Sequence, residues 1–282
     1  MGMPIAIDIR DAHAGAAMLD RAFAFLRTVD ATFSTFRADS EISRLNRGEL
    51  RLRDARPVVR EVLARCEHLR RVTGGYFDAG APAPGALDPT GLVKGWAVDG
   101  VAALLEREGA RRYCIDAGGD VRVRGGGAAP DTRWRVGIRH PHRHDRVAAV
   151  LEADDLAVAT SGAYERGEHI VDPHTGRPPV GVLSVTVAGP DLATADACAT
   201  AAFAMGERGP RWTARLRGYH AMTVLVGDRV LCTPGFVDLC AGATAGESAD
   251  APLESGRPTG PERPAGPSPG LRDPAGRCPA HR

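Results

Sequence analysis

The chain has 282 residues, of which 43% are hydrophobic and 25% charged, a composition typical of a globular protein with room for a substantial core. Its 36 Lys and Arg residues nearly balance 35 Asp and Glu residues, so no basic surface indicates nucleic-acid binding. No apolar run approaches the roughly 18 residues of a membrane span, and the N-terminus has no signal-peptide pattern. We therefore expect a cytoplasmic protein without a membrane span, whose scattered cysteines remain reduced thiols.

Hydrophobic spacing predicts three helices in the first part of the chain. They cover residues 12–31, 57–73 and 96–108. Pro57 marks the start of the second helix and Gly74 follows its end, which are the usual helix boundary signals.

Strand-like patterns dominate after the third helix. They occur at residues 121–123, 134–138, 156–160, 184–187 and 224–231. The last run contains a Gly227-Asp228 turn, and a helix with Asp191 as its N-cap is expected to reach Met205. The histidines within 140–144 lie between two strand-like runs and are expected in an exposed loop rather than in a metal site. Strands in hairpin-like runs, without regular alternation with helices, predict an α+β fold rather than a doubly wound sheet.

The composition changes near residue 241. The segment 241–282 contains 8 Pro and 7 Gly among its 42 residues and almost no large apolar side chains. Such a segment has too little apolar surface to bury. We therefore predict a folded domain over 1–240 and a disordered tail over 241–282.

The densest chemical signal lies between residues 160 and 200. A predicted turn at 160–166 is followed by the segment 169–176, which combines an imidazole and a carboxylate with turn-forming residues. Asp196 and Thr200 are four residues apart, so a helix places both oxygens on one face. Together these features indicate a site for a hard metal ion and a phosphate-bearing ligand. Taken singly, each is also common as an ordinary turn or a polar helix face.

Two further motifs carry candidate ligand contacts. Asp88, Gly91 and Lys94 precede the third predicted helix, where the lysine either meets a phosphate or stays solvated in the first turn. Gly118 and Gly119 follow a short strand, where the backbone either passes close to a ligand or simply turns.

The succession of these motifs resembles the ApbE family, the FAD:protein FMN transferases. The resemblance covers residues from about 30 to about 225, and its motifs are Thr35 to Asn46, Thr73 to Asp78, Leu87 to Gly95, Ala117 to Asp120, Thr160 to Gly162, His169 to Gly176 and Ala195 to Ala201. It implies an α+β fold with mixed, mostly antiparallel sheets and helices packed around a flavin-binding cleft.

The resemblance also implies an activity and a set of site residues. The expected reaction is Mg²⁺-dependent transfer of FMN from FAD onto a Ser or Thr hydroxyl of an acceptor flavoprotein, with release of AMP. Magnesium ligands are implied at the Gly91 carbonyl, Asp196 and Thr200, and His169 is the implied proton acceptor. Contacts with FAD are implied for Phe36, Tyr76, Phe77, Asp78, Asp88, Lys94, Gly118, Gly119, Thr160, Ser161, Gly162 and Ile170.

The chain also departs from the family pattern. The segment between Asp78 and Asp88 is short and rich in Pro and Ala, where many family members carry a longer one. The N-terminal Met-Gly-Thr element and the lipoprotein signal of exported members are not visible, which favours a cytoplasmic acceptor.

Two alternatives keep the same cleft. The first is a Mg²⁺-dependent FAD hydrolase that produces FMN and AMP, and AMP release without an acceptor separates it from a transferase. The second is a non-catalytic flavin-binding protein, against which the retained polar residues argue: Lys94, His169, Asp196 and Thr200.

Overall fold

A computed structural model of the chain describes residues 2–12, 15–80, 86–126, 132–143, 145–162 and 170–241. These residues all belong to one of the two units into which the internal contacts divide the chain, Met1–Pro252. The candidate proton acceptor His169 lies outside the described residues, as does the predicted tail after Ala241. No helix among the described residues combines the length and the apolar character needed to cross a bilayer.

Helices and strands are numbered separately in chain order. The helices are α1 (Ala16–Phe33), α2 (Glu41–Asn46), α3 (Pro57–Val72), α4 (Thr90–Arg107), α5 (Leu192–Ala204), α6 (Gly209–Thr213) and α7 (Pro234–Leu239). The strands are β1 (Ile5–Ile9), β2 (Tyr113–Ala117), β3 (Asp120–Arg124), β4 (Trp134–Arg139), β5 (Val147–Ala153), β6 (Asp155–Gly162), β7 (Val182–Gly189), β8 (His220–Leu225) and β9 (Arg229–Cys232).

One large sheet organises the described residues. Its strands follow the order β1-β2-β3-β6-β7-β8-β9, and every neighbouring pair is antiparallel. The strands β4 and β5 form a separate antiparallel pair. The α+β prediction, with mostly antiparallel sheets, is therefore confirmed.

The sheet carries apolar side chains on both faces. The larger core forms between the sheet and the helices α1, α3, α4 and α5. A smaller core joins the sheet to the β4–β5 pair and to Phe236 of α7, whose side chain is fully buried. The helix α5 lies in the larger core and is almost entirely buried, because it consists mainly of alanine and other apolar residues.

The structure corrects the predicted start of the third helix. The helix α4 begins at Thr90, six residues before the predicted start, and so includes Gly91 and Gly95. Glycine weakens an isolated helix, so local propensity does not account for this extension. Tertiary packing explains the difference, because a Cβ atom at Gly95 would lie 2.4 Å from the carbonyl oxygen of Leu192 in α5. Gly95 therefore allows the two helices to approach closely.

The predicted turn over residues 160–166 is wrong for residues 160–162, and its other residues lie outside the described part of the chain. Thr160, Ser161 and Gly162 are the last residues of β6, and they pair with the segment Ser184 to Thr186 of β7. Small polar residues suggested a turn, but here the antiparallel ladder satisfies their backbone groups. The strands β1 and β5 also went unpredicted.

Most of the other predicted elements are confirmed. The helices over 12–31, 57–73 and 191–205 correspond to α1, α3 and α5, with small differences at their ends. The Gly227-Asp228 turn joins β8 to β9, and Asp228 has a positive φ of 57°. The described cysteines are free thiols, namely Cys66, Cys114, Cys198, Cys232 and Cys240.

Candidate functional site

A cleft of about 540 Å³ lies where the starts of α4 and α5 face the end of β6. It falls within the size range of about 300–1,000 Å³ that is usual for small-molecule and cofactor sites. Its lining includes Phe36, Tyr76, Phe77, Asp78, Asp88, Gly91, Lys94, Gly118, Thr160, Ser161, Gly162, Ile170, Asp196 and Thr200. The fold thus brings together nearly all the candidate residues from distant parts of the sequence.

Gly119 is the candidate within the described residues that does not line this cleft. Gly118 and Gly119 form the two-residue turn between β2 and β3, and both have positive φ angles, 63° and 93°. Such turns favour glycine because side chains strain that backbone conformation. The Gly119 N–H donates to Asp116 Oδ1 at 2.8 Å, so Gly119 serves the turn while Gly118 faces the cleft.

Other residues of the lining were not predicted from the sequence. They are Met3, Val29, Asp30, Phe33, Ser34, Thr35, Thr90, Val93, Val171 and Pro173. The helical spacing of α1 already placed Val29 on an apolar face, but that pattern does not distinguish a core residue from a cleft residue. Met3 precedes the unpredicted strand β1, so no local signal indicated its position.

Two aspartates fix the start of α5. Asp191 is the N-cap and accepts the Thr194 N–H at 2.9 Å, as predicted. Asp99 of α4 accepts the N–H groups of Leu192 and Ala193, each at 2.9 Å. These bonds satisfy donors that a helix start leaves without partners, and they attach α5 to α4. Asp196 and Thr200 then follow on the first turns of a firmly placed helix.

Asp196 is a buried carboxylate with an unused oxygen. The residue is 4% exposed, and its Oδ1 lies 3.3 Å from Lys94 Nζ. Its Oδ2 is buried and finds no hydrogen-bond partner among the described residues. Burial raises the pKa of Asp196 to about 7, although Lys94 acts in the opposite direction. A buried carboxylate oxygen without a partner is unfavourable unless a cation or donor approaches it.

Lys94 is an ion-paired residue rather than a solvated one. Its side chain is 22% exposed and its ammonium also contacts Asp120 Oδ2. Burial acts to lower the pKa of Lys94, but the carboxylates of Asp196 and Asp120 outweigh it and raise that pKa. Because α4 begins at Thr90, Lys94 lies in the second turn of the helix and not in the first.

Asp120 is a residue of this cluster to which the sequence assigned no role. It is 2% exposed, and its Oδ1 accepts the Thr160 N–H at 3.0 Å. The sequence feature that could have indicated a role for Asp120 was its position directly after Gly118 and Gly119, at the start of β3. What identifies it is the contact with Lys94, which depends on how α4 lies against the sheet.

The chemistry of this corner fits a hard divalent cation. Thr200 lies one turn after Asp196, and its Oγ1 is 3.3 Å from Ser161 Oγ. Gly91 lies in the first turn of α4 beside the Phe77 ring. The described residues contain no group of three or more His, Cys, Asp or Glu side chains that could hold a metal ion. A cation at Asp196 would therefore rely on hydroxyl, carbonyl and substrate oxygens, which suits Mg²⁺.

Aromatic side chains form another part of the cleft. Phe36 is 97% exposed at its edge, which is unusual for a large apolar side chain. The Tyr76 ring lies edge-on to the His174 ring, with 4.6 Å between the ring centroids. The Arg208 guanidinium lies 5.2 Å from the Tyr76 centroid. These rings offer flat apolar surface to a planar ligand.

The turn at residues 172–177 has the predicted chemistry. Asp172 Oδ1 accepts the His174 N–H at 2.9 Å, and the Asp172 carbonyl accepts the Gly176 N–H at 2.8 Å. The turn brings Pro173 to the cleft beside Ile170. His169 immediately precedes the described segment.

Comparison with known proteins identifies the family. A model of the ApbE family matches residues 1–84 and 81–223. The FAD:protein FMN transferase of Vibrio cholerae is 39% identical over 131 residues, which cover 43% of this chain and 39% of that protein. The FAD:protein FMN transferase of Treponema pallidum is 32% identical over 205 residues, covering 64% of this chain and 57% of that protein. The chain thus spans about two fifths to three fifths of these relatives' lengths.

A solved structure shows the same fold. The ApbE protein from Thermotoga maritima superposes with a TM-score of 0.75 at 23% identity, covering 84% of this chain and 96% of that one. The chain belongs to the ApbE family.

Proposed function

We propose that the protein transfers FMN from FAD onto a Ser or Thr hydroxyl of an acceptor flavoprotein, in a Mg²⁺-dependent reaction that releases AMP. The relatives named FAD:protein FMN transferase support this reaction. The observation that carries the proposal is the presence of Asp196, Thr200 and Lys94 in one cleft whose edge is aromatic. Water replacing the acceptor hydroxyl would make the same site a hydrolase.

The cleft suits the two chemically different halves of the substrate. The rings of Phe36 and Tyr76 would pack against the flavin, because stacked aromatic systems attract each other through dispersion and apolar burial. The Lys94 ammonium would pair with the diphosphate. The remaining FAD contacts are proposed for the other cleft residues implied by the family pattern, while Gly119 would act only through its turn.

Mg²⁺ would be held by Asp196, Thr200 and the Gly91 carbonyl. When bound there, the ion would offset negative charge on the diphosphate and so favour the departure of AMP. Asp196 supplies the charge that attracts the ion, and Thr200 contributes a neutral oxygen from the next turn of the same helix.

The reaction forms one phosphoester bond and breaks one bond of the diphosphate. The acceptor hydroxyl oxygen attacks the phosphorus atom of the FMN half, and the bond between that phosphorus and the oxygen of AMP breaks. His169 is the proposed acceptor of the hydroxyl proton, since a neutral imidazole is a suitable base near neutral pH. We further propose that the protein and its acceptor are cytoplasmic.

Mass spectrometry of candidate acceptors tests this function. The full chain is incubated with FAD, Mg²⁺ and a candidate flavoprotein, and the acceptor is examined for an added FMN while AMP is measured. We expect equal amounts of adduct and AMP, and loss of both when EDTA is added. AMP release at the same rate without an acceptor would identify a hydrolase. FAD binding with no AMP under any condition would identify a flavin-binding protein.

A further inference from the structure

The ammonium of Lys94 lies between two buried carboxylates. It contacts Asp120 Oδ2 and lies 3.3 Å from Asp196 Oδ1. One ammonium thus lies beside two carboxylates, and both carboxylates belong to residues that are less than 5% exposed. When both acids are ionised, the pair therefore retains one uncompensated negative charge. Neither Asp120 Oδ2 nor Asp196 Oδ2 has a hydrogen-bond partner among the described residues, but Asp120 Oδ2 contacts the Lys94 ammonium, whereas Asp196 Oδ2 has no such ion pair.

Asp120 differs from Asp196 in its access to the cleft. Asp120 is not part of the cleft lining, whereas Asp196 and Lys94 are. Its Oδ1 is held by the Thr160 N–H, a bond made where β3 lies beside β6. The sheet therefore fixes the Asp120 carboxylate. The Lys94 side chain is flexible, so the position of its ammonium is set by this fixed carboxylate.

We propose that Asp120 is a positioning residue that holds the Lys94 ammonium partly away from Asp196, and so leaves Asp196 able to bind a divalent cation. This inference rests on the proposed function, because it assigns Asp120 a role toward the proposed Mg²⁺ site. Without the Asp120 charge, Lys94 would pair with Asp196 alone. A lysine paired one to one with Asp196 would compete directly with a metal ion for that carboxylate.

The inference makes the effect of Asp120 depend on Lys94. If Asp120 acts by holding the lysine, its charge matters little once the lysine is gone. If Asp120 instead attracts the cation through its own negative charge, removing that charge weakens binding whether or not Lys94 is present. A double-mutant cycle separates the two cases.

Binding of MnCl₂ to the full chain without FAD tests the inference directly. Free Mn²⁺ is measured by electron paramagnetic resonance for wild type, Asp120→Asn, Lys94→Met and the double variant. We expect Asp120→Asn to weaken binding by roughly 10- to 100-fold, the usual effect of losing a residue that orients a metal ligand. In the Lys94→Met background, Asp120→Asn should change the affinity less than about threefold, within the usual error of additivity.

Asp116→Asn is the matched control, because it removes a neighbouring carboxylate that contacts Gly119 and not Lys94. Its Mn²⁺ affinity should equal that of wild type, and thermal unfolding checks that each variant is folded. If Asp120→Asn alone does not fold, the double variant is compared with Lys94→Met. A tenfold or greater loss in that comparison would overturn the inference, and equal affinity would support it.

Two different failures can be told apart. Wild-type protein that binds no Mn²⁺, either without FAD or with it, would remove the metal site and with it the proposed function. Wild-type protein that binds Mn²⁺ as tightly as Asp120→Asn does would overturn the role of Asp120 and leave the proposed function standing.

Discussion

Asp196 is a buried residue whose carboxylate keeps one oxygen without a hydrogen-bond partner among the described residues. It is the one charged residue in α5, and its neighbours along the helix are mostly alanine. Burying a carboxylate without full compensation is costly, so such a residue is seldom explained by stability alone. This cost supports a role for Asp196 in binding a cation.

Replacing Asp196 by Asn should abolish most transfer activity. Asparagine keeps the shape of the side chain but removes the charge, so we expect Mg²⁺ affinity to fall by more than roughly 100-fold, beyond the usual effect of losing an outer residue. Thr200→Val removes only a hydroxyl and keeps a side chain of similar volume. It should also lower the activity and the Mg²⁺ affinity, but by less. Transfer activity measured as a function of Mg²⁺ concentration gives the maximal rate and the apparent Mg²⁺ affinity of each variant.

Excess Mg²⁺ provides the control for these two variants. Because occupancy follows mass action, high Mg²⁺ should partly restore activity if only binding was lost. An Asp196→Asn variant with the Mg²⁺ dependence of wild type would contradict the assignment of this residue as a metal ligand.

At the element scale, the contact between α4 and α5 sets the geometry of the cleft. Lys94 comes from α4, and Asp196 comes from α5. Gly95 lies against the carbonyl of Leu192, and Asp99 bonds to the first N–H groups of α5. The separation of these two helices therefore decides whether the lysine reaches the carboxylate.

Gly95→Ala should destabilise the protein, although alanine is the better helix former. The added Cβ would lie 2.4 Å from the Leu192 carbonyl oxygen, so the helices would have to separate. Overpacking of this kind costs about 1–3 kcal/mol, more than the roughly 1 kcal/mol gained from helix propensity. Urea denaturation measures the difference in the free energy of unfolding.

Gly15→Ala is the matched control for that substitution. Gly15 precedes α1, and its added Cβ would meet no atom within 4 Å. Gly15 is the N-cap of α1, where alanine is less favourable than glycine, so we expect a loss of no more than about 1 kcal/mol in its free energy of unfolding. Equal stability of Gly95→Ala and Gly15→Ala would show that α4 and α5 can separate at no cost.

Asp191→Ala should weaken the start of α5. Asp191 accepts the Thr194 N–H, pairs with Arg65 at 3.0 Å and accepts a hydrogen bond from the Tyr219 hydroxyl. Loss of an N-cap costs about 0.5–2 kcal/mol. Asp191→Asn is the control, because asparagine also caps helices well and should recover part of the loss.

The effect of Asp191 should depend on pH in a defined direction. Burial acts to raise the pKa of Asp191, but hydrogen bonds from Tyr219 and Thr194 and the nearby Arg65 outweigh it, so the pKa is lowered. The carboxylate therefore stabilises the fold above its unfolded pKa of about 3.9, and this contribution is lost as the pH falls through the folded value. Urea denaturation from pH 7 to pH 3 should show the wild type losing its advantage over Asp191→Ala below about pH 4. An advantage that grows in acid would contradict this assignment.

At the scale of the whole molecule, we propose that the folded domain of residues 1–240 carries the activity without the tail. Deletion of residues 245–282 should leave transfer activity and the thermal midpoint essentially unchanged. The physical reason is composition, since the segment has few large apolar side chains with which to pack against the domain. Differential scanning calorimetry and the FMN-adduct assay measure the two quantities.

A longer truncation supplies the contrast. Deletion from residue 234 also removes α7, whose Phe236 is fully buried in the smaller core. Loss of a buried aromatic side chain costs about 3–5 kcal/mol, so this form should unfold at a lower temperature. A truncation at residue 245 that behaves like the longer one would show that the tail packs on the domain.

Elements with local signals could be predicted from the sequence alone. Pro57 and Gly74 mark the ends of α3, and Asp191 and Gly206 mark those of α5, where Gly206 has a positive φ of 58°. These residues act through caps, turns and side-chain spacing, which depend only on near neighbours in the chain. Most of the residues that the family resemblance implied for the site also line the cleft.

Other features depend on contacts between segments that are distant in the sequence. The early start of α4 requires the close approach of Gly95 to α5, and the extension of β6 to Gly162 requires β7 beside it. The role inferred for Asp120 depends on the bond from Thr160 and on the contact with Lys94. No local pattern encodes these contacts, because burial, pairing partners and charge compensation arise only when separate elements pack together.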